Sequence, residues 1–189
     1  RTRMENMMFV LLSFLMNTPV LAQDLVNAEP EDDFPFTVAL GAEFGSNTFS
    51  ACTGSLITPD VVLTAAHCGG DFPIELVISA GRAFFGSDVN SAESVGFDDG
   101  ILHPDYVELS NGIGGSLGRN DIGVLVLSEP VDWVDPVWIA TESIEEIADG
   151  ATVTSIGFGV SNSNGAGSGI KRSAELVVDS VDEIFLYSN

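Results

Sequence analysis

The sequence predicts an all-β fold, a sandwich or barrel, on three observations. Short runs rich in Val, Ile, Phe and Thr recur along the 189 residues. Gly, Asn, Asp, Ser and Pro bound them. No long stretch holds the 3.6-residue apolar period of a helix. Many short strands joined by Gly-rich turns belong to closed or layered β architectures. In order, the expected strands are FTVAL (36–40), FSACTGSLIT (49–58), VVLTA (61–65), ELVISA (75–80), IGVLVL (122–127), ATVTSIGF (151–158), AELVV (174–178) and EIFLY (183–187). One short helical turn is expected near Glu142–Ala148. SEPVDWVDP, around Glu129–Pro136, interrupts the two strand-rich halves and marks a break between them.

Composition bounds the function classes. The chain is long enough to bury a core. Six Lys and Arg stand against 28 Asp and Glu, a formal net charge of −22. That balance excludes nucleic acid, whose affinity rests on cationic side chains neutralising phosphate. It also opposes binding to anionic membrane surfaces. Acidity of this size reads as a strongly solvated surface.

The N-terminus sets the expected compartment. From Met4 it carries an apolar run, Met7 to Met16, and closes on Val20-Leu21-Ala22, small residues of the kind signal peptidase cleaves after. The run is too short to span roughly 30 Å of hydrocarbon. Residues 1–22 are therefore read as a signal peptide, with no membrane association after its removal. The expected location is secreted, extracellular or periplasmic. A chain beginning with Arg1 rather than Met is expected to be a fragment of a longer translation product. In an oxidising compartment Cys52 and Cys68 are expected to be oxidised.

Two Gly-rich segments, GIGGSLG (112–118) and NSNGAGSG (162–169), lack the Lys-Ser/Thr and following helix that a phosphate loop needs. Both are read as surface turns. LTAAHCGG (63–70) is more informative, because it sets a histidine beside a cysteine in a chain with two of each. Three readings compete: half a metal site, a buried structural histidine, or a base held next to a disulfide. A metal site needs three or four ligands with short local spacing. His103, the other histidine, lies far along the chain and no C-x-x-C accompanies either, so no metal and no cofactor are expected. If Cys52 and Cys68 pair, they close a loop of about 15 residues, worth about 3 kcal/mol, and fix the backbone next to His67. A histidine so held suits proton transfer near neutrality. Asp121, directly before the apolar run IGVLVL, could bound that strand in a turn or accept the imidazole Nδ1–H.

At this point the sequence resembles a known family. TAAHC with an upstream cysteine in CTGSLIT, then HPDY (103–106), NDIGVLVL and VTSIGFG (153–159), in that order, are similar to the trypsin/chymotrypsin family of serine proteases. The likeness runs from about Leu25 to the end of the chain. It implies a chymotrypsin-like double antiparallel β-barrel over residues 25–189, the first barrel at about 25–130 and a partial second at about 131–189. It implies His67 as general base and acid, Asp121 as its orienter, and a Cys52–Cys68 disulfide. It further implies peptide-bond hydrolysis on protein or peptide substrates by a protein expected to be monomeric.

Other features depart from the family pattern. Its nucleophile follows in a GDSGG-type loop, and no such segment occurs in the 189 residues. The nucleophile is therefore expected beyond Asn189, and the fragment alone is expected to be inactive. Ser168, in GAGSG, falls in a turn and is rejected as the nucleophile. Leu25 is the expected mature N-terminus, after a short pro-segment at 23–24, but Asp24 precedes it where the family usually has Arg or Lys. His103 is read as structural. The acidic stretch from Asp88 to Asp99 could offer oxygen ligands to calcium, yet it has no recognisable ligand spacing and is read as a solvated loop. The alternative function is a non-catalytic protease homologue acting as a protein-binding module.

Overall fold

In the computed structural model, residues 28–45, 47–70, 74–110, 116–140, 150–161, 166–181 and 186–188 are described. Six strands close into a barrel in the order β2 (Thr37–Phe44), β3 (Asn47–Thr58), β4 (Val61–Thr64), β9 (Gly123–Leu127), β6 (Glu93–Leu102) and β5 (Gly81–Phe85), with β5 returning to β2. Every neighbouring pair is antiparallel. The fold is all-β, as the turn-bounded runs imply.

Alternation along the strands builds the barrel interior. Val38 and Leu40, Leu56, Val62, Ala83 and Phe85, Val95 and Phe97, and Leu125 and Leu127 form one buried cluster. The outer faces of β2 and β5 are also covered, because Ala39 and Phe84 pack with Val89 and Phe158 in a second cluster. That second cluster joins the barrel to the C-terminal half. There, β11 (Arg172–Val181) pairs with β1 (Glu29–Pro30), β10 (Thr152–Gly157) and β12 (Leu186–Ser188). The Phe158 amide donates to Thr53 Oγ1 at 3.1 Å across the join.

The Glu129–Pro136 segment contains no strand or helix, but it is strapped to the barrel. The Val131 amide donates to Pro59 O and the Val137 amide to Leu56 O, while Val131 and Val134 enter the barrel core. Trp133 meets Phe85 edge-on, with ring centroids 6.0 Å apart.

The structure corrects the expectation for ELVISA. Residues Ile74–Ala80 form a helix, α2, rather than a strand. Ile74 and Val77, three positions apart on one helical face, pack against the barrel core while Ser79 and Ala80 stay exposed. A Cβ on Gly81 would lie 2.3 Å from the Val77 carbonyl oxygen, so the helix runs straight into β5 only because position 81 has no side chain. A short Leu-Val-Ile run fits either state by periodicity; here packing on β6 decides.

Two further expectations shift. The acidic stretch 88–99 is a loop only in its first part, because Glu93–Leu102 is barrel strand β6. Val95 and Phe97 point inward, and Asp98 and Asp99 sit exposed at a bulge in the β6–β9 register. Of the segment 112–118, residues Ser116–Gly118 belong to β8 (Ser116–Arg119), which pairs with β7 (Val107–Ser110) in a two-stranded ribbon. Residues 112–115, 162–165 and 183–185, the helical turn expected at Glu142–Ala148, the leader and Leu25 lie outside the described residues. No helix among the described residues is long and apolar enough to cross a membrane.

Candidate active site

The ladder between β4 and β9 brings the two chemical groups together. Its last pair is Thr64 with Gly123. In an antiparallel pair, the chain leaving one strand and the chain entering the other meet at the same end. His67 comes three residues after Thr64 and Asp121 two residues before Gly123. They therefore emerge side by side although 54 residues separate them in sequence.

Local chemistry refines that placement. Ala65 and Ala66 are buried, and a Cβ on Gly123 would come within 3.6 Å of the Ala66 Cα. Small residues on both sides thus let the two segments close up. The Cys68 amide donates to Ala65 O and the Gly69 amide to Ala66 O, winding the chain into the short helix α1 (His67–Gly70). The disulfide from Cys68 to Cys52 ties α1 to β3. On the other side Asn120 takes a left-handed conformation, φ 55°, which Asn tolerates better than most residues. Its Nδ2 donates to Asp105 O, and the Ile122 amide donates back to Asn120 O. Together these bonds turn the Asp121 carboxylate toward α1.

Asp121 grips His67 at two points. Its Oδ1 accepts the His67 backbone N–H at 2.8 Å, and its Oδ2 lies 2.7 Å from Nδ1. An ionised carboxylate only accepts, so in this contact it is Nδ1 that donates. The two side chains are 21 % and 10 % exposed. The carboxylate is thus largely withdrawn from water while the imidazole still reaches it. Position 118 is also filled by its surroundings, since a Cβ on Gly118 would come 2.4 Å from the Tyr106 ring and 3.1 Å from the Asp121 Cβ. Such an arrangement holds one tautomer of a histidine and stabilises its protonated form, which is the requirement for proton transfer in acyl chemistry.

The remaining candidates fall elsewhere. His103 organises the HPDY turn: its Nδ1 accepts the Asp105 amide at 3.1 Å and its carbonyl accepts the Tyr106 amide. Ser168 lies in an exposed turn between Gly167 and Gly169, both at positive φ, and that turn packs on the Asp88–Val89 segment. Ligand atoms of Cys52, His67 and Cys68 lie within 4.8 Å of one another. With the two sulfurs bonded to each other, neither is a thiolate that could hold a metal. In the acidic loop, Asp88 Oδ1 already accepts two hydrogens from Asn90, one from its backbone and one from its side chain.

Sequence reasoning did not single out Asn120, Gly118 or Lys171. The Asn-Asp pair just before a strand was the available signal for Asn120. Lys171, the chain's one lysine, is almost fully buried. Its Nζ donates to the carbonyls of Asp33 and Phe34 at 3.1 and 3.2 Å, clasping the segment that leads into β2. Burial pushes its pKa down, partly offset by Glu31, Asp32 and Asp33.

The trypsin family model matches residues 26–184. The chain is 30 % identical over 151 residues to a trypsin from Saccharopolyspora erythraea, covering 79 % of this chain and 61 % of that protein. It is 30 % identical to phenoloxidase-activating factor 1 of Holotrichia diomphalia, over 68 % of this chain and 39 % of that one. With the kallikrein 1-related peptidase b24 of Mus musculus it shares 33 % identity, over 57 % and 42 %. The chain thus spans about 40–60 % of the length of these relatives. On the match to most of its length, the chain belongs to the trypsin family.

Proposed function

We propose that the chain is the N-terminal portion of a secreted serine endopeptidase, with His67 as general base and acid and Asp121 as its orienter. The single observation that carries this reading is the two-point hold of Asp121 on His67, through Nδ1 and the backbone N–H. In this reading the nucleophilic serine lies beyond Asn189.

In the complete protein the serine hydroxyl gives its proton to His67 Nε2 as its oxygen attacks the carbonyl carbon of a peptide bond. Asp121 stabilises the resulting imidazolium across the 2.7 Å contact. His67 then passes the proton to the departing amine, and a water molecule, deprotonated by the same nitrogen, releases the acyl group. Substrates are proteins or peptides, the leader at 1–22 directs export, Leu25 becomes the mature N-terminus, and the enzyme acts as a monomer.

The test is amide hydrolysis by the complete protein and its variants. His67→Ala is expected to lower kcat by several powers of ten, and Asp121→Asn by about 10⁴-fold, because the amide favours the wrong tautomer. Hydrolysis near the wild-type rate in either variant refutes the assignment. A complete wild-type protein that is folded but cleaves no amide refutes it in favour of a protein-binding homologue.

A further inference from the structure

The turn around His103 holds the Asp121 segment from both sides. The His103 amide donates to Ile122 O at 2.9 Å, just after Asp121. The Asp105 carbonyl accepts Asn120 Nδ2 at 2.9 Å, just before it. The Tyr106 ring and the Asp121 Cβ border the same space over Gly118. The turn itself is closed by the Tyr106 amide donating to His103 O at 3.0 Å and the Asp105 amide donating to His103 Nδ1 at 3.1 Å. A backbone N–H only donates, so Nδ1 of His103 is an acceptor and the neutral ring carries its proton on Nε2. His67 uses the same atom the opposite way, as donor to Asp121 Oδ2. A protonated imidazole has an N–H at both nitrogens. Charging His103 therefore removes the acceptor and sets two donors face to face, whereas charging His67 leaves its bond to Asp121 in place.

We propose that His103 is a positioning residue for the His67–Asp121 pair, acting through Asp105 and Asn120, and that it holds the pair only while its ring is neutral. When the ring gains a proton, the Asp105 amide loses its partner and the turn no longer fixes the Asp105 carbonyl. Asn120, whose left-handed backbone is tied to that carbonyl, then releases the chain just ahead of Asp121. Imidazoles change charge between about pH 5 and 8, so the hold is lost in mild acid and restored as pH rises. The charged and titratable residues on the elements around the turn are Asp105 and Tyr106 within it, Glu108 on β7, Arg119 on β8, Asp121, and His67 on α1. They set the pH at which the ring charges, whereas the atom that gains the proton is fixed by the Asp105 amide. The consequence for peptide hydrolysis rests on the proposed function; the link between the two histidines does not.

Proton NMR of the purified protein tests the link without any nucleophile. The His67 Nδ1–H resonance is assigned by its loss in His67→Ala, and the charging of His103 is followed by its Cε1–H shift, assigned by its loss in His103→Asn. Asn ahead of Pro104 accepts the amide two residues on through its side-chain oxygen, and it does not titrate. The net worth of one neutral hydrogen bond corresponds to a factor of about 2–10. Above the His103 titration, the His67 Nδ1–H is expected to exchange with solvent faster by that factor in His103→Ala, and at the wild-type rate in His103→Asn. Below it, wild type should exchange faster than His103→Asn by the same factor at equal pH. In the complete protein, His103→Ala should lower kcat by that factor with KM unchanged. The proposal is overturned if the ratio of the wild-type to the His103→Asn exchange rate is constant across the His103 titration, or if folded His103→Ala matches wild type at neutral pH. If His103→Ala does not fold, judged by near-ultraviolet circular dichroism, that ratio alone decides. The expected exchange rates in a complete protein that cleaves no amide would uphold the link and refute the hydrolytic reading.

Discussion

Replacing Cys52 and Cys68 together by alanine removes the link between the barrel wall at β3 and the helix that carries His67. The bonded residues are 16 apart in sequence. Closing a loop of that size in the unfolded chain costs about 10 cal/mol/K of entropy, or about 3 kcal/mol at 25 °C. Cys52 also packs against the barrel core, and losing its sulfur there adds less than about 1 kcal/mol. The folded state has other holds on α1: the turn bonds to Ala65 and Ala66 and both contacts with Asp121. The loss therefore falls mainly on the unfolded state. For a domain of ordinary stability, about 5–15 kcal/mol, the barrel stays folded. Urea unfolding followed by tryptophan fluorescence, at fixed pH and salt, should give a destabilisation of about 3–4 kcal/mol. The m-value should rise, because an untethered chain unfolds to a more expanded ensemble. Thermal scans should show Tm lower by about 6–12 °C. A loss below about 1 kcal/mol with an unchanged m-value would refute the argument that the bridge acts through the unfolded chain.

Three other outcomes are expected. Gly118→Ala drives a methyl group into the Tyr106 ring beside Asp121 and should cost about 1–3 kcal/mol; no loss in a thermal scan would mean that the ribbon does not press on Asp121. Glu31 accepts the Asp33 amide and the Ser173 hydroxyl, both at 2.8 Å, and these bonds, the Asp33 amide foremost, hold its carboxyl below its ordinary value of 4.5. The folded chain thus binds that proton less readily than the unfolded one. The wild-type advantage over Glu31→Gln should be present near pH 7 and lost as pH falls below about 4.5; an advantage unchanged at about pH 3 counts against it. Finally, a net charge of −22 repels itself in the compact state. The urea midpoint should therefore rise as salt goes from about 0.01 to about 0.1 M, which shortens the screening length from about 30 to about 10 Å. A flat or falling midpoint would show that the acidic groups are already locally compensated.

The legible parts of the fold are those where one strand face is buried and the other is not. IGVLVL and VVLTA could be read as strands because they are short apolar runs rich in β-branched residues and bounded by turns; they pair with each other in the barrel, with Val62, Leu125 and Leu127 in the core. ELVISA has the same composition, yet its helix is set by packing on β6 and by the bare Gly81, neither of which local periodicity reports. Strands β5 and β6 carry no turn-bounded apolar run. GRAFF is buried on both sides, between two clusters, and ESVGFDDGIL hides its inward Val95 and Phe97 among two glycines and a bulged pair of aspartates. His67 and Asp121 stand out in the sequence because their motifs are dense. Asn120 and Gly118 do not, because their work is conformational and steric.

The pairing of His67 with Asp121 is a property of one barrel. Both residues project from the same end of the β4–β9 ladder, and the bonds described above that aim them come from residues between Cys52 and Gly123. A one-residue slip of that ladder would turn Leu125 and Leu127 out of the core, so the register that buries the core also fixes the pair. The orientation of the proposed base is thereby tied to core burial, the largest favourable term in folding. It does not wait for a substrate or a nucleophile to arrive. Preorganisation of this kind places a proton acceptor without reorganisation at the moment of reaction. In the proposed enzyme, the nucleophile-bearing part then has to supply the serine and the donors around the developing oxyanion.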